Sequence, residues 1–135
     1  MINILKRQTR EESKLLKKNH LFLKSKKLID SIFENGKYFK EHPLSVRFLQ
    51  VNEVNDINFV VSVKKKYLPK AVDRNKIKRL MRNSLRECVE ELKNKISEQK
   101  KSYHIAIIYN SSIIYDIDYL KDKINLILTR LIIDE

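Results

Sequence analysis

The chain has 135 residues, of which 29 are lysine or arginine and 17 are aspartate or glutamate, so its formal net charge at pH 7 is +12. This length suits one domain with its own hydrophobic core, and the excess of positive charge makes a polyanion the expected partner. The single cysteine, Cys88, excludes an intramolecular disulfide, and no cluster of cysteine and histidine has the spacing of zinc ligands.

The first eighteen residues are polar and mixed in charge, and their weak periodicity predicts a mobile basic arm before a folded domain over residues 19–135. No long apolar run follows Lys6, Arg7 and Arg10, so we expect neither a signal peptide nor a membrane span. Together with the lone cysteine, this pattern predicts a reduced, cytoplasmic compartment.

The first predicted element after this arm is an amphipathic helix over residues 25–35, with Ser25 as its expected N-cap. Its apolar stripe consists of Leu28, Ile29, Ile32 and Phe33. Gly36, the only glycine, is expected to end the helix in a left-handed conformation.

Two segments with apolar residues at every second position follow, over residues 44–51 and 57–63, and both are predicted to be strands. Polar residues 52–56 separate them, so an antiparallel hairpin is the simplest connection. Pro43 is expected to mark the start of the first of these strands.

A long helical pattern then runs from Arg74 to about Ile96, with Asp73 as the expected N-cap. Its apolar face consists of Ile77, Leu80, Met81, Leu85, Cys88, Val89, Leu92 and Ile96. Residues 103–109 predict a buried strand and residues 110–112 a turn.

A last helix is expected over residues 118–132, capped by Asp116 or Asp118. Its apolar positions are Leu120, Ile124, Ile127, Leu128, Leu131 and Ile132. The resulting order of helix, strands, helix, strand and helix indicates an α+β or open α/β sandwich in which helices cover a small mixed sheet.

The positive charge is concentrated in residues 64–86, which contain ten basic residues and one acid, Asp73, and so carry nine of the twelve net charges. On a helical wheel, one flank of the long helix collects Arg74, Asn75, Lys78, Arg79, Arg82 and Arg86. A solvated helix face is the simpler alternative. Like charges four residues apart on a helix repel by about 0.2–0.5 kcal/mol per pair. Because no acids compensate them here, the pattern favours recognition of a polyanion.

Residues 71–82, A-V-D-R-N-K-I-K-R-L-M-R, closely resemble the signature A-V-x-R-N-R-[IV]-K-R-L-[IL]-R of the ribonuclease P protein component. Just upstream, residues 61–66 are similar to the strand end S-V-S-K-K of that family. Residues 32–36, I-F-E-N-G, resemble the V-F-x-x-G that closes its first helix. The three landmarks occur in the right order, and the resemblance extends from about residue 18 to the C-terminus.

The resemblance implies a single-domain α-β-β-β-α-β-α fold with a left-handed β-α-β crossover, where general rules would predict a right-handed one. It also implies a protein subunit of ribonuclease P, which binds the catalytic RNA and the 5′ leader of precursor tRNA and promotes endonucleolytic removal of that leader. In this family the RNA subunit holds Mg²⁺ and performs the hydrolysis, so the chain would belong to an enzyme without carrying catalytic residues itself.

The resemblance implies that the basic flank of the long helix contacts RNA. The implied RNA-binding residues are Lys65, Lys66, Arg74, Asn75, Lys76, Lys78, Arg79, Arg82 and Arg86. The implied cleft for the single-stranded leader contains Ile29, Phe33 and Ser62. An aromatic residue on an apolar helical stripe is otherwise usually part of the core, so two interpretations of Phe33 stand side by side.

The sequence offers no candidate for a protein-borne nuclease centre. Its histidines, His20, His42 and His104, are scattered, and no acids group with them at a recognisable spacing, so we assign neither catalytic residues nor metal ligands. We expect His104 to be a buried structural residue, His20 and His42 to be exposed, and Cys88 to act as a small apolar side chain. A structural ribosomal-type RNA-binding protein remains the alternative function, although longer basic tails would be typical of it; an independent nuclease is disfavoured.

Overall fold

The computed structural model describes residues 21–52, 57–99 and 101–134. Its elements are α1 (Lys26–Asn35), β1 (Lys37–Glu41), β2 (Leu44–Val51), β3 (Ile57–Val63), α2 (Ala71–Glu91), α3 (Lys93–Gln99), β4 (Ser102–Tyr109) and α4 (Ile117–Thr129), followed by a π-helical turn at Arg130–Asp134. This order confirms the α+β class and the α-β-β-β-α-β-α arrangement, with α3 as an additional short helix. The predicted arm over residues 1–18 and His20 lie outside the described residues.

The four strands form one mixed sheet in the order β1-β2-β4-β3. The pairs β1–β2 and β2–β4 are antiparallel, whereas β3 and β4 are parallel. Parallel neighbours need a crossover, and α2 with α3 supplies it. The left-handed sense of this crossover stays a prediction.

The predicted hairpin of β2 and β3 is wrong, because β4 lies between these strands and pairs with both. All eight residues of β4 are buried. A strand that is apolar on both faces belongs at the centre of a sheet, while strands that alternate more strictly suit its outer positions. Alternation along β2 and β3 therefore identified their faces correctly but could not identify their neighbours.

One face of the sheet packs against α2 and α4 to form the hydrophobic core. The strands contribute alternate residues to it, including Val46 and Phe48 from β2 and Phe59 and Val61 from β3. From the helices, the fully buried members of this core are Ile77, Met81, Leu85, Cys88, Leu120, Ile124, Ile127, Leu128 and Leu131. These residues confirm the predicted apolar sides of both helices.

The opposite face of the sheet carries α1, which lies against β2 and β4. Arg47 of β2 points away from the core, since its neighbours Val46 and Phe48 point into it. The Arg47 guanidinium lies near the Phe33 ring of α1, which fixes the side of the sheet on which α1 packs. Only Ile32 of the predicted apolar stripe of α1 is buried.

Two predicted helix caps are confirmed and one is wrong. The backbone N–H of Leu28 donates to Ser25 Oγ at 3.4 Å, and that of Tyr119 donates to Asp116 Oδ1 at 2.9 Å. The long helix, however, begins after Lys70 rather than after Asp73, which lies within its first turn, where a negative charge suits the helix dipole. It also ends at Glu91, and residues 93–99 form the separate helix α3.

Cys88 is completely buried, and its side chain faces the core from α2. Desolvation raises the pKa of its thiol to about 11, and the nearby carboxylates of Glu91 and Glu87 act in the same direction, against the opposing effect of Lys121. The thiol therefore stays protonated at neutral pH, as expected of a small apolar side chain.

Gly36 ends α1 without the left-handed conformation that the sequence predicted. Its φ of −77° and ψ of 154° are extended values open to any residue. What requires glycine here is space: an added Cβ would collide with the carbonyl oxygen of Ile32 and lie 3.0 Å from that of Phe48. The backbone N–H of Gly36 also donates to Ile32 O at 2.8 Å, so this close approach of α1 to the sheet is part of the helix end.

We expect Gly36→Ala to lower the free energy of unfolding by about 1–3 kcal/mol, because the backbone groups of Ile32 and Phe48 would have to move apart. Urea unfolding followed by circular dichroism measures this. Asn35→Ala, at the exposed neighbouring position, is the matched control and should change stability by less than about 0.5 kcal/mol. Equal losses in the two variants would contradict the steric explanation.

Candidate RNA-binding surface

The first four turns of α2 hold a basic flank above a completely buried apolar side. Ile77, Met81 and Leu85 have no exposed surface, so they fix the rotation of the helix about its axis. On the other side, the candidate residues Asn75, Lys76, Arg79 and Arg86 are exposed, and Arg74, Lys78 and Arg82 are half-buried. Lys65 and Lys66, in the connection from β3, are exposed as well. The basic residues that the helical wheel grouped together thus lie on one side of α2, and the buried apolar residues lie on the other.

Charge is separated along α2. Apart from Asp73 in the first turn, its acids are Glu87, Glu90 and Glu91, which follow Arg86 in the last part of the helix. Two of them, Glu87 and Glu91, bind Lys121 of α4 at 3.1 and 2.9 Å, which raises the pKa of that lysine. Within the described ranges, no carboxylate forms an ion pair with the basic residues from Arg74 to Arg86. The flank is consequently a continuous positive surface.

Among the arginines of this flank, Arg86 donates from Nη1 to Asn83 Oδ1 at 3.0 Å, whereas Arg74 donates to the protein backbone. Its Nη1 donates to the carbonyl oxygens of Leu68 at 3.0 Å and Pro69 at 2.7 Å. Leu68 is itself buried, so these bonds hold the β3–α2 connection against the domain. Arg74 thus shapes the start of the basic helix, whatever further contacts its other nitrogens make.

An apolar segment that the sequence analysis did not single out lies at the outer edge of β3. The backbone N–H of Leu23 donates to Phe59 O, and that of Phe59 donates to Leu21 O, both at 2.7 Å. Phe22 is thereby bridged in parallel to Phe59. Its ring lies below the basic flank, with its centroid 5.1 Å from Cζ of Arg86 and 6.0 Å from Cζ of Arg82.

The predicted leader cleft corresponds to the face of the sheet that carries α1. Ser62 and Ile108 pair in register across β3 and β4, and Ser62 is half-buried on this face. Ile29 is half-buried on α1, and Phe33 is 40% exposed. The interpretation of Phe33 as a core residue is therefore wrong, because α1 turns only Ile32 fully towards the sheet.

Arg47 and Tyr38 add a cation and a second ring to this face, and the sequence analysis missed both. The Cζ atom of Arg47 is 5.9 Å from the centroid of the Phe33 ring and 5.2 Å from that of Tyr38. Tyr38 is 49% exposed. The signal for Arg47 was present, since it lies between two core-facing residues of a strand and so had to point to the other face. Tyr38 lies on β1, which the residues alone did not identify.

The aromatic surface of Phe33, Tyr38 and Arg47 lies towards β1 and β2, whereas the cationic flank lies over the opposite edge of the sheet, at β3. Phe22, beside Phe59, lies on the core-facing side of that edge, under the arginines of α2. Ser62, on the edge strand β3, points to the opposite face of the sheet, the one that carries α1. The protein therefore presents cations on one face of the sheet and exposed rings with a further cation, Arg47, on the other. Such a combination of cations and exposed rings is typical of single-strand binding.

Among the described residues, no group of three or more His, Cys, Asp and Glu side chains is placed to hold a metal ion. His42 is exposed and His104 is buried in β4, as predicted. No helix in the described part of the chain is long and apolar enough to cross a membrane.

Comparison with known proteins gives one family and one fold. The family model of Ribonuclease P matches residues 15–131, whereas no curated protein sequence matches. The fold is similar to that of an RNase P protein mutant of Staphylococcus aureus with defective mRNA degradation activity, at 18% identity, 90% coverage of this chain, 95% of that chain and a TM-score of 0.64. It is also similar to the RNase P protein from Thermotoga maritima, at 24% identity, 80% and 94% coverage and a TM-score of 0.62. Because the family match spans most of its length, the chain belongs to the ribonuclease P family, as a protein subunit that partners the RNase P RNA.

Proposed function

We propose that this protein binds the catalytic RNA of ribonuclease P through the basic flank of α2 and the 5′ leader of precursor tRNA through the sheet face beside α1. It thereby promotes removal of the leader and formation of the mature 5′ end. The observation that carries the proposal is the uncompensated run of cations on α2, since four consecutive turns hold basic side chains with no ion pair among the described residues.

The chemistry in this proposal belongs to the RNA subunit and its Mg²⁺ ions, and the reaction takes place in the cytoplasm. The protein contributes charge neutralisation, which lowers the repulsion between RNA subunit and substrate and so the concentration of Mg²⁺ that their association requires. It also contributes leader contacts, which favour a precursor over a mature tRNA.

The leader contacts are argued from the exposed rings on the α1 face. A single strand presents unstacked bases, and each base that stacks on a protein aromatic residue gains about 1–3 kcal/mol. Phe33 and Tyr38 are both accessible, and Arg47 between them offers a flat cation for the same purpose. Ile29 has no ring, so stacking on α1 falls to Phe33.

The direct test is cleavage of a precursor tRNA by the cognate catalytic RNA at low Mg²⁺, with and without this protein. We expect faster cleavage with the correct 5′ end when the protein is present, and a smaller difference at high Mg²⁺. Absence of stimulation by a protein that is folded and binds RNA would reject the proposal and favour a structural role in RNA binding.

Replacement of Arg79 and Arg82 together by alanine should weaken binding to the catalytic RNA and reduce the slope of log affinity against log salt by up to about two units, because two phosphate contacts are lost. Titrations at several salt concentrations measure the slope. The charge-matched control is Lys93→Ala with Lys95→Ala on α3, which should leave the slope almost unchanged. An unaltered slope in the arginine variant would contradict the assigned contacts.

Phe33→Ala should weaken binding of leader-bearing precursor tRNA to the holoenzyme by about 1–3 kcal/mol and leave binding of mature tRNA unchanged, because only the leader reaches the α1 face. The ratio of the two dissociation constants is the measured quantity. Leu126→Ala is the control, since Leu126 is a 55% exposed apolar residue on α4. Equal weakening for both tRNAs would argue against a leader contact at Phe33.

A further inference from the structure

Phe22 occupies a position that the predicted site does not include, at the edge of the sheet below α2. Two backbone hydrogen bonds of 2.7 Å, to and from Phe59, fix the register of its segment along β3. In a parallel bridge, paired residues point to the same side of the sheet, so Phe22 points with Phe59 towards the core and α2. Its side chain is partly buried against the core residues and is therefore held from below.

The upper part of the ring meets two arginines of the basic flank. Arg82 and Arg86 are four residues apart on α2, where like charges repel. Their Cζ atoms nevertheless lie 6.0 and 5.1 Å from the centroid of the same ring. The negative face of an aromatic ring attracts guanidinium groups at such distances. The ring thus contributes to holding both side chains on one side of the helix against their mutual repulsion, and Arg86 is held in addition by a hydrogen bond of 3.0 Å from its Nη1 to Asn83 Oδ1.

We propose that Phe22 is a positioning residue, which orients Arg82 and Arg86 for the phosphates of RNA without touching RNA itself. The inference rests on the proposed function of the basic flank. An arginine side chain loses rotamer freedom when it binds, and one that is already ordered loses less, so its contact becomes stronger. Arg79 lies on the same flank and has no ring contact among the described residues, which makes it the internal comparison.

The first measurement is the affinity of the full chain for the cognate catalytic RNA, with Phe22 and with Phe22→Leu. Leucine keeps the apolar packing and the backbone hydrogen bonds but removes the ring. We expect the affinity to fall by about threefold to tenfold. Phe22→Tyr retains the ring and should restore the affinity. Urea unfolding of each variant establishes that it is folded under the conditions of the titration.

A double-mutant cycle separates positioning from a general structural role. Phe22→Leu should have no further effect on RNA affinity in the background Arg82→Gln with Arg86→Gln, because the side chains that it positions are gone. In the background Arg79→Gln, it should still weaken binding by the same factor as in the original chain. A loss of equal size in both backgrounds would overturn the inference, since destabilisation of the sheet edge affects them alike.

The same measurements separate this inference from the function on which it rests. If Arg82→Gln with Arg86→Gln leaves RNA affinity unchanged, the proposed role of the flank fails at these positions, and the role of Phe22 fails with it. If the arginine substitutions weaken binding while Phe22→Leu does not, the flank retains its function and the positioning role alone is rejected.

Discussion

The structure depends on the way in which α2 is held, because a helix with so much positive charge on one side is not stable by itself. Its basic residues repel one another along the flank, and each pair of like charges four residues apart costs about 0.2–0.5 kcal/mol. Burial offsets this repulsion. Ile77, Met81, Leu85 and Cys88 lose all contact with water against the sheet and α4, and a fully buried side chain of this kind gains about 1.5–3 kcal/mol. The core thus stabilises a surface that repels itself.

The central strand β4 explains how one small sheet presents two different surfaces. Because β4 is buried on both faces, it needs helices on both sides, and α2 with α4 covers one while α1 covers the other. The core-facing side places α2 at the edge of β3, and the other side leaves Phe33, Arg47 and Tyr38 accessible around α1. The cationic and the aromatic surface are consequences of the same sheet order.

Prediction from the sequence succeeded where a single element carries its own signal. The apolar side of α2, the caps at Ser25 and Asp116, and the burial of β4 follow from local spacing and were correct. It failed where the outcome depends on tertiary contacts. The alternation of β2 and β3 could not reveal that β4 inserts between them, and a lone glycine at a helix end suggested a backbone angle when the constraint at Gly36 is the nearby Phe48 carbonyl.

The candidate site divides in the same way. The signature on α2 identified its basic residues as a set, but the sequence treats the arginines of that set as equivalent, and the structure does not. Arg74 binds two backbone carbonyls of the connection before α2, Arg82 and Arg86 lie over Phe22, and Arg79 extends from the same flank without a ring beside it among the described residues.

These differences matter for how the protein responds to its partner. Any ligand that binds the folded state alone stabilises it by mass action, so RNA that neutralises the flank also removes the repulsion that the core must otherwise offset. Arginines that are already oriented contribute most to such binding, since little further ordering is needed, whereas a free arginine gives up part of its contact energy to ordering. In the proposed mode of binding, affinity for RNA therefore depends on the contacts beneath the flank as well as on its charge.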